Sequence, residues 1–114
     1  MSAPRQREIW LVRLDPIRGH EQARSRPAII VSRDELNQSG WSLCVGVPLS
    51  TRDRQSPLHV EILTRQGGAE VTSYALVDQI RALDRSRLVK RLGAIDAESQ
   101  RRIASILLRI VAPR

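Results

Sequence analysis

The chain is short, strongly basic and almost free of cysteine. Its 114 residues fit a single domain, residues 1–114, and are too few for a second independent core. The net charge of +7 favours polyanions or acidic proteins as partners. The single cysteine, Cys44, excludes a disulfide framework or a cysteine zinc site and indicates a reducing cytoplasm. The first apolar segment is too short for a signal peptide or a membrane span, so we expect a cytoplasmic protein with no membrane partner.

Short apolar runs separated by turn residues predict a small antiparallel barrel rather than a helical bundle. In the fourth run, apolar residues alternate with His59 and Glu61, which predicts one buried face and one solvent-facing side. Pro48 comes late in the third run and is expected at an edge or a strand end. The predicted strands cover residues 8–14, 27–32, 42–49, 58–64, 73–80 and 89–95.

One amphipathic helix is predicted at the C-terminus. Asp96 is suited to cap it and Glu98 to occupy its first turn. Apolar residues then recur at helical spacing and are expected to pack on the barrel: Ile103, Ile106, Leu107 and Ile110. Single helical turns are expected at 33–38 and 84–88. We place Cys44 and Trp10 in the core and expect Trp41 at an interface or against a base.

Three motifs resemble one family when they are taken together and in order. They are EIWLVRLDPIRGHEQARSRPAIIVS at 8–32, VPLST at 47–51 and VDQIRALDRSRL at 77–88. This series resembles the MazF/PemK/Kid toxins of bacterial toxin-antitoxin systems, and its GHEQ segment is most similar to the Kid/PemK branch. The resemblance implies a mainly β fold with a C-terminal α-helix, an SH3-like small barrel of the MazF/PemK/Kid/CcdB type.

The same resemblance implies an activity and partners. Family members are homodimeric, ribosome-independent endoribonucleases that cut single-stranded RNA at short sequences and so inhibit growth. They are blocked by an antitoxin with an acidic, disordered tail, which agrees with a charge of +7. A non-enzymatic toxin resembling CcdB, which binds DNA gyrase, is the rival interpretation, but such chains lack the GHEQ loop and the RPAI arginine. A third interpretation is a relative of these toxins that has lost its activity and only binds an antitoxin or RNA.

Cleavage of RNA without a metal needs three groups: a base for the 2'-hydroxyl, cations at the phosphorane and an acid for the leaving 5'-oxygen. The two histidines, His20 and His59, are far apart in the sequence, and no carboxylate cluster has metal-ligand spacing. We therefore expect no metal and no cofactor. The expected products are a 2',3'-cyclic phosphate and a 5'-hydroxyl.

The resemblance implies four catalytic candidates. Arg26 matches the arginine that contacts the scissile phosphate, and its guanidinium suits two phosphate oxygens at once. His20 matches the Kid/PemK histidine and carries a group that exchanges protons near neutral pH, or else is a structural hydrogen-bonding group of the loop. Asp78 matches the general base proposed for the Kid branch. Ser50 corresponds to the hydroxyl residue that other members pair with the arginine, or else is a turn residue.

Asp78 has two possible interpretations, and the nearby Leu76 departs from the family pattern. Its alternation with Leu76 and Ile80 predicts a carboxylate among apolar neighbours, either a base or half of a buried ion pair with Arg81 or Arg26. Leu76 stands where the Kid branch has an arginine proposed as the acid, so that role has no match here.

A second group of polar residues is expected to contact RNA, each with a solvated surface position as the alternative. Loop arginines that follow the backbone would make binding depend on salt, and Glu21 would orient His20 or Arg26. The group comprises Glu21, Gln22, Thr51, Arg52, Arg54 and Arg81.

Overall fold

The computed structural model describes residues 3–13, 24–66 and 69–114. His20, Glu21 and Gln22 lie outside these ranges. The described elements are β1 (Glu8–Arg13), β2 (Ser25–Ile30), α1 (Asp34–Asn37), β3 (Leu43–Ser50), β4 (His59–Gln66), β5 (Ala69–Leu76), β6 (Arg81–Asp84), β7 (Leu88–Ala94) and α2 (Ala97–Val111). The prediction of a mainly β fold with a C-terminal helix is confirmed. Single 3-10 turns at Val77–Gln79 and Arg85–Arg87 flank β6.

The strands form one curled antiparallel sheet in the order β4-β5-β3-β2-β1-β7, and β6 also pairs with β3. Strand β3 is the centre of the sheet. One of its edges pairs with β2, and the other pairs with β6 over Leu43–Gly46 and with β5 over Leu49–Ser50. Two strands therefore share one edge of β3, and the turn Val77–Gln79 connects them.

Pro48 lies at the point where β3 exchanges one neighbour for the other. It pairs with Ala28 of β2, but it falls between Gly46, the last residue paired with β6, and Leu49, the first paired with β5. Because proline has no N–H to donate, a gap in the pairing tolerates it. The expectation of an edge position or a strand end is thus corrected to a break within a central strand.

Two predicted boundaries were wrong around β5. This strand begins at Ala69, because its hairpin with β4 continues as far as the pair Gln66 and Ala69, and it ends at Leu76 rather than at residue 80. The four-residue strand β6 was not predicted. The predicted strand at 73–80 therefore merged the end of β5 with the following turn.

The centre of the sheet is buried on both faces. Ile29 and Ile30 are successive residues of β2, so their side chains point to opposite sides, and both are fully buried. Ile29 belongs to a cluster that includes Ile103 of α2, and Ile30 belongs to a second cluster, on the other face of the sheet, with Trp10 and Cys44. The predictions for Trp10, Cys44 and Ile103 are confirmed.

Helix α2 begins where the sequence predicts. Asp96 Oδ1 accepts a hydrogen bond from the Ser99 N–H at 2.7 Å, and this bond lowers the pKa of Asp96. Ile106 and Leu107 pack on the core. Ile110, in the last turn of α2, is 43% exposed, so the expectation that it packs on the barrel was wrong. Within the described ranges, no helix is long and apolar enough to cross a bilayer.

Candidate active site

A groove of about 350 Å³ opens where β2, β3, β5 and β6 come together. Its floor is apolar and is formed by Pro48, Leu49 and Leu76. Its polar lining consists of Arg26, Ser50, Arg54, Gln79 and Arg81. The fold thus brings together four of the residues singled out in the sequence, although they lie up to 55 positions apart.

Each arginine reaches the groove from a different element. Arg26 is the second residue of β2, and Arg81 is the first residue of β6, opposite Gly46. Arg54 comes from the loop 51–58 between β3 and β4. All three residues are exposed.

The groove carries positive charge that nearby acids do not neutralise. Within the described part of the chain, Arg26, Arg54 and Arg81 form no ion pair with a carboxylate, and no acidic residue is among the lining residues. Guanidinium groups that converge without a carboxylate attract an anion, and phosphate suits their paired N–H donors.

Ser50 lies at the end of β3 and holds a turn. Its Oγ accepts a hydrogen bond from the backbone N–H of Arg52 at 3.1 Å, which leaves the hydroxyl proton available for donation into the groove. The turn role and a contact with a bound phosphate are therefore compatible. Thr51 and Arg52 are exposed beyond the groove lining.

The loop that carries Arg54 is internally ordered. Asp53 Oδ1 accepts a hydrogen bond from the Gln55 N–H at 2.8 Å, and Gln55 has a left-handed backbone with φ 53°. Tyr74 pairs with Ser50 in the sheet and lies near Asp53 of this loop. Desolvation and the charges of Asp53 and Glu61 raise the pKa of Tyr74, so its phenol keeps its proton.

Asp78 does not lie where its sequence pattern predicts. It belongs to the 3-10 turn Val77–Gln79 rather than to a strand, and its side chain is 40% exposed. Its Oδ1 lies 3.1 Å from Nε2 of His59, and neither Arg26 nor Arg81 pairs with it. The expectation of a carboxylate among apolar neighbours was wrong because a turn follows Leu76 and ends the alternation.

Sequence reasoning missed Gln79, which lines the groove directly beside Asp78. The DQIR motif already contained it, so the motif itself was the available signal. Leu76 is buried in the floor. Among the described residues, no group of three His, Cys, Asp or Glu side chains is placed to hold a metal ion.

Comparison with known proteins identifies the family of the chain. The sequence model of the family of PemK-like, MazF-like toxins of type II toxin-antitoxin systems matches residues 5–111. The chain belongs to this family. It is 35% identical to the endoribonuclease MazF9 of Mycobacterium tuberculosis over 98 residues, which are 82% of this chain and 83% of that protein. It is 28% identical to the endoribonuclease EndoA of Bacillus subtilis over 101 residues, covering 88% and 87% of the two chains.

Solved structures of the family share the fold. The MazE-MazF complex from Deinococcus radiodurans (Form-II) superposes with a TM-score of 0.80 at 25% identity and covers the whole of both chains. A mycobacterial endoribonuclease in complex with its cognate antitoxin superposes with a TM-score of 0.74 at 23% identity, covering 98% of this chain and 99% of that chain. The predicted family and fold are therefore confirmed.

Proposed function

We propose that this family member is a toxin endoribonuclease that cuts single-stranded RNA at short sequences in the groove of Arg26, Ser50, Arg54 and Arg81. The observation that carries the proposal is the convergence of three guanidinium groups without a described carboxylate partner. The endoribonucleases MazF9 and EndoA, to which the chain is similar along most of its length, support the same activity.

The reaction we propose is an internal transesterification. The 2'-oxygen attacks the adjacent phosphorus, and the bond from phosphorus to the 5'-oxygen breaks. A base takes the proton of the 2'-hydroxyl and an acid supplies a proton to the leaving 5'-oxygen, which leaves a 2',3'-cyclic phosphate and a 5'-hydroxyl. Arg26 and the hydroxyl of Ser50 stabilise the charge that develops on the phosphorane oxygens.

Two residues are suited to the proton transfers. A carboxylate accepts a proton, so we assign the base to Asp78, next to the groove residue Gln79. His20 of the GHEQ segment is the proposed acid, because its protonated imidazole donates near neutral pH and Leu76 supplies no proton. Glu21, Gln22, Thr51, Arg52 and Arg81 complete the proposed contacts to RNA.

The proposed partners follow from charge and exposed surface. An acidic antitoxin suits a chain of charge +7, and the matched structures include MazF bound to MazE. Leu108, Ile110 and Val111 of α2 are exposed apolar residues that a homodimer would cover. We further propose that residues 1–114 act as one toxin domain in the cytoplasm, without a metal or another cofactor.

Two arginines close together in the sequence provide the test. Arg26 lines the groove, whereas Arg24 is exposed just before β2 and is not a lining residue. Arg26→Ala should lower the rate of RNA cleavage by roughly 10²–10³-fold, the usual loss when one transition-state donor is removed. Arg24→Ala should retain most activity, and both variants should keep the circular dichroism of the wild type. Equal activity in Arg26→Ala and the wild type would contradict the proposal.

A further inference from the structure

His59 breaks the alternation of its own strand. Glu61, two positions along β4, is exposed, and the alternation predicts the same for His59. The His59 side chain is nevertheless only 6% exposed. His59 is the first residue of β4 and pairs with Leu76, the last residue of β5, so its side chain lies over the end of the hairpin against the turn Val77–Gln79.

The contact of His59 with Asp78 defines which imidazole nitrogen carries the proton. Nε2 lies 3.1 Å from Asp78 Oδ1, and an ionised carboxylate only accepts hydrogen bonds. Nε2–H is therefore the donor. The other nitrogen, Nδ1, is buried, and no described residue hydrogen-bonds to it.

The unpartnered Nδ1 argues against a purely structural role. A buried polar atom without a partner costs stability, roughly 1–3 kcal/mol for a typical group, whereas an apolar side chain would fill the same space without that cost. The single hydrogen bond that His59 makes is directed at a carboxylate that is 40% exposed and adjacent to the groove residue Gln79. Buried polar groups kept at such a cost often occur at functional sites.

His59 also contacts both connections that border the groove. Its backbone N–H donates to Ser56 O at 3.2 Å, at the end of the loop that carries Arg54. Its side chain meanwhile holds Asp78 in the turn that carries Gln79. One residue therefore contacts both segments, the loop through its backbone and the turn through its side chain.

We infer that His59 is a positioning residue for the endoribonuclease groove. It binds one oxygen of Asp78 and leaves the other oxygen oriented to accept the proton of the RNA 2'-hydroxyl. This inference rests on the proposed function and on the role of Asp78 in it. His59 itself touches neither RNA nor the reacting atoms; it acts through Asp78.

Two substitutions separate the donor from the bulk of the side chain. In His59→Gln the amide nitrogen reaches the position of Nε2 and keeps the donor, whereas in His59→Asn the shorter amide cannot reach Asp78. We expect His59→Gln to cleave RNA within a few-fold of the wild-type rate. We expect His59→Asn to lose roughly 10–100-fold in kcat with little change in KM, because misplacing a reacting group slows chemistry more than binding.

A double-mutant cycle shows whether the loss acts through Asp78. In an Asp78→Asn background, His59→Asn should lower kcat by less than about twofold further, because the group it positions is already lost. A structural role would lower the thermal midpoint and reduce kcat equally in both backgrounds. Equal kcat in His59→Asn and the wild type, or independent losses in the cycle, would overturn the inference.

A spectroscopic measurement tests the contact between His59 and Asp78 without an activity assay. Long-range ¹H–¹⁵N spectra of the imidazole groups should show His59 as the tautomer protonated on Nε2, and His20→Gln identifies which signal belongs to His59. A tautomer protonated on Nδ1 would overturn the inference. If the wild type cleaves no RNA, the proposed function fails, whereas a cleaving wild type with an unaffected His59→Asn overturns only the role of His59.

Discussion

Arg26 and Arg81 lie on the two strands that flank β3 on opposite sides, yet their side chains line the same groove. Gly46 of β3 pairs both with Ile30 of β2 and with Arg81 of β6, which places the two strands on opposite edges. Neighbouring strands of a sheet lie about 4.8 Å apart, so residues on the two strands beside β3 can reach one groove. The positive groove is therefore assembled from separate strands around β3 rather than from one charged segment.

Gly46 should be required for the position of β6. A Cβ at this residue would lie 2.5 Å from Cδ1 of Leu83, which is itself buried in the core of the curl. Gly46→Ala should therefore lower the free energy of unfolding by about 1–3 kcal/mol through overpacking. Chemical denaturation measures the change, and Gly40→Ala, where a Cβ has open space, is the matched control. Equal stability of the two variants would show that Leu83 moves aside at no cost.

Arg54 should add one phosphate contact to RNA binding. Because Arg54 lines the groove and Arg24 does not, Arg54→Ala should weaken binding to single-stranded RNA and reduce the slope of log K against log salt by about 0.7, whereas Arg24→Ala should change it less. Fluorescence anisotropy over a salt series measures both slopes. Identical slopes in the two variants would place the RNA outside this groove.

Cys44 should be inert in the folded protein. Its thiol is fully buried, and burial raises its pKa, so little reactive thiolate is present. We expect iodoacetamide to modify the native chain very slowly and the chain in denaturant quickly, as mass spectrometry would show. Rapid modification of the native chain would mean that the curl around Cys44 opens readily.

Glu8 should make the fold sensitive to acid. Burial alone raises the pKa of this carboxylate, but hydrogen bonds from the Arg5 N–H, the Trp10 indole and Arg91 together lower it below its ordinary value of 4.5. A lowered pKa gives stability that is complete above pH 4.5 and is lost as the pH falls through the folded-state pKa. Arg91 is half exposed, so the backbone and indole bonds contribute most.

The Glu8→Gln variant measures this contribution. At neutral pH it should lose about 1–3 kcal/mol of unfolding free energy, because an amide accepts these bonds more weakly than a carboxylate. As the pH falls from about 6 to about 3, the difference from the wild type should shrink, because the wild-type carboxylate becomes protonated. A difference that stays constant over this range would exclude the carboxylate charge as its source.

The sequence was sufficient for the architecture and for most of the groove. Apolar runs between turn residues predict the positions of β1, β2, β3, β4 and β7, and Asp96 and Glu98 predict the start of α2. Family motifs predict Arg26, Ser50 and Arg81 as site residues, and the position of the loop at 52–57 predicts Arg54; the fold brings the four together. These features depend on local chemistry and ordered motifs, which a single sequence records.

Other features depend on contacts between distant residues. The burial of His59 depends on the turn at 77–79, which strand periodicity does not reveal. Strand β6 is four residues long, too short for a periodic pattern, and it exists because β3 offers it an edge. A proline late in an apolar run predicts an edge or a strand end. The gap that accommodates Pro48 arises where β3 exchanges one neighbouring strand for another, and this exchange cannot be seen in the sequence of β3 alone.

The proposed endoribonuclease is best tested by incubating the purified chain with a mixed-sequence single-stranded RNA in excess EDTA and identifying both new ends chemically. We expect discrete cuts that leave a 2',3'-cyclic phosphate and a 5'-hydroxyl, and the loss of these cuts in Arg26→Ala. Intact RNA after incubation with folded protein, or cuts that leave a 5'-phosphate, would contradict the proposal.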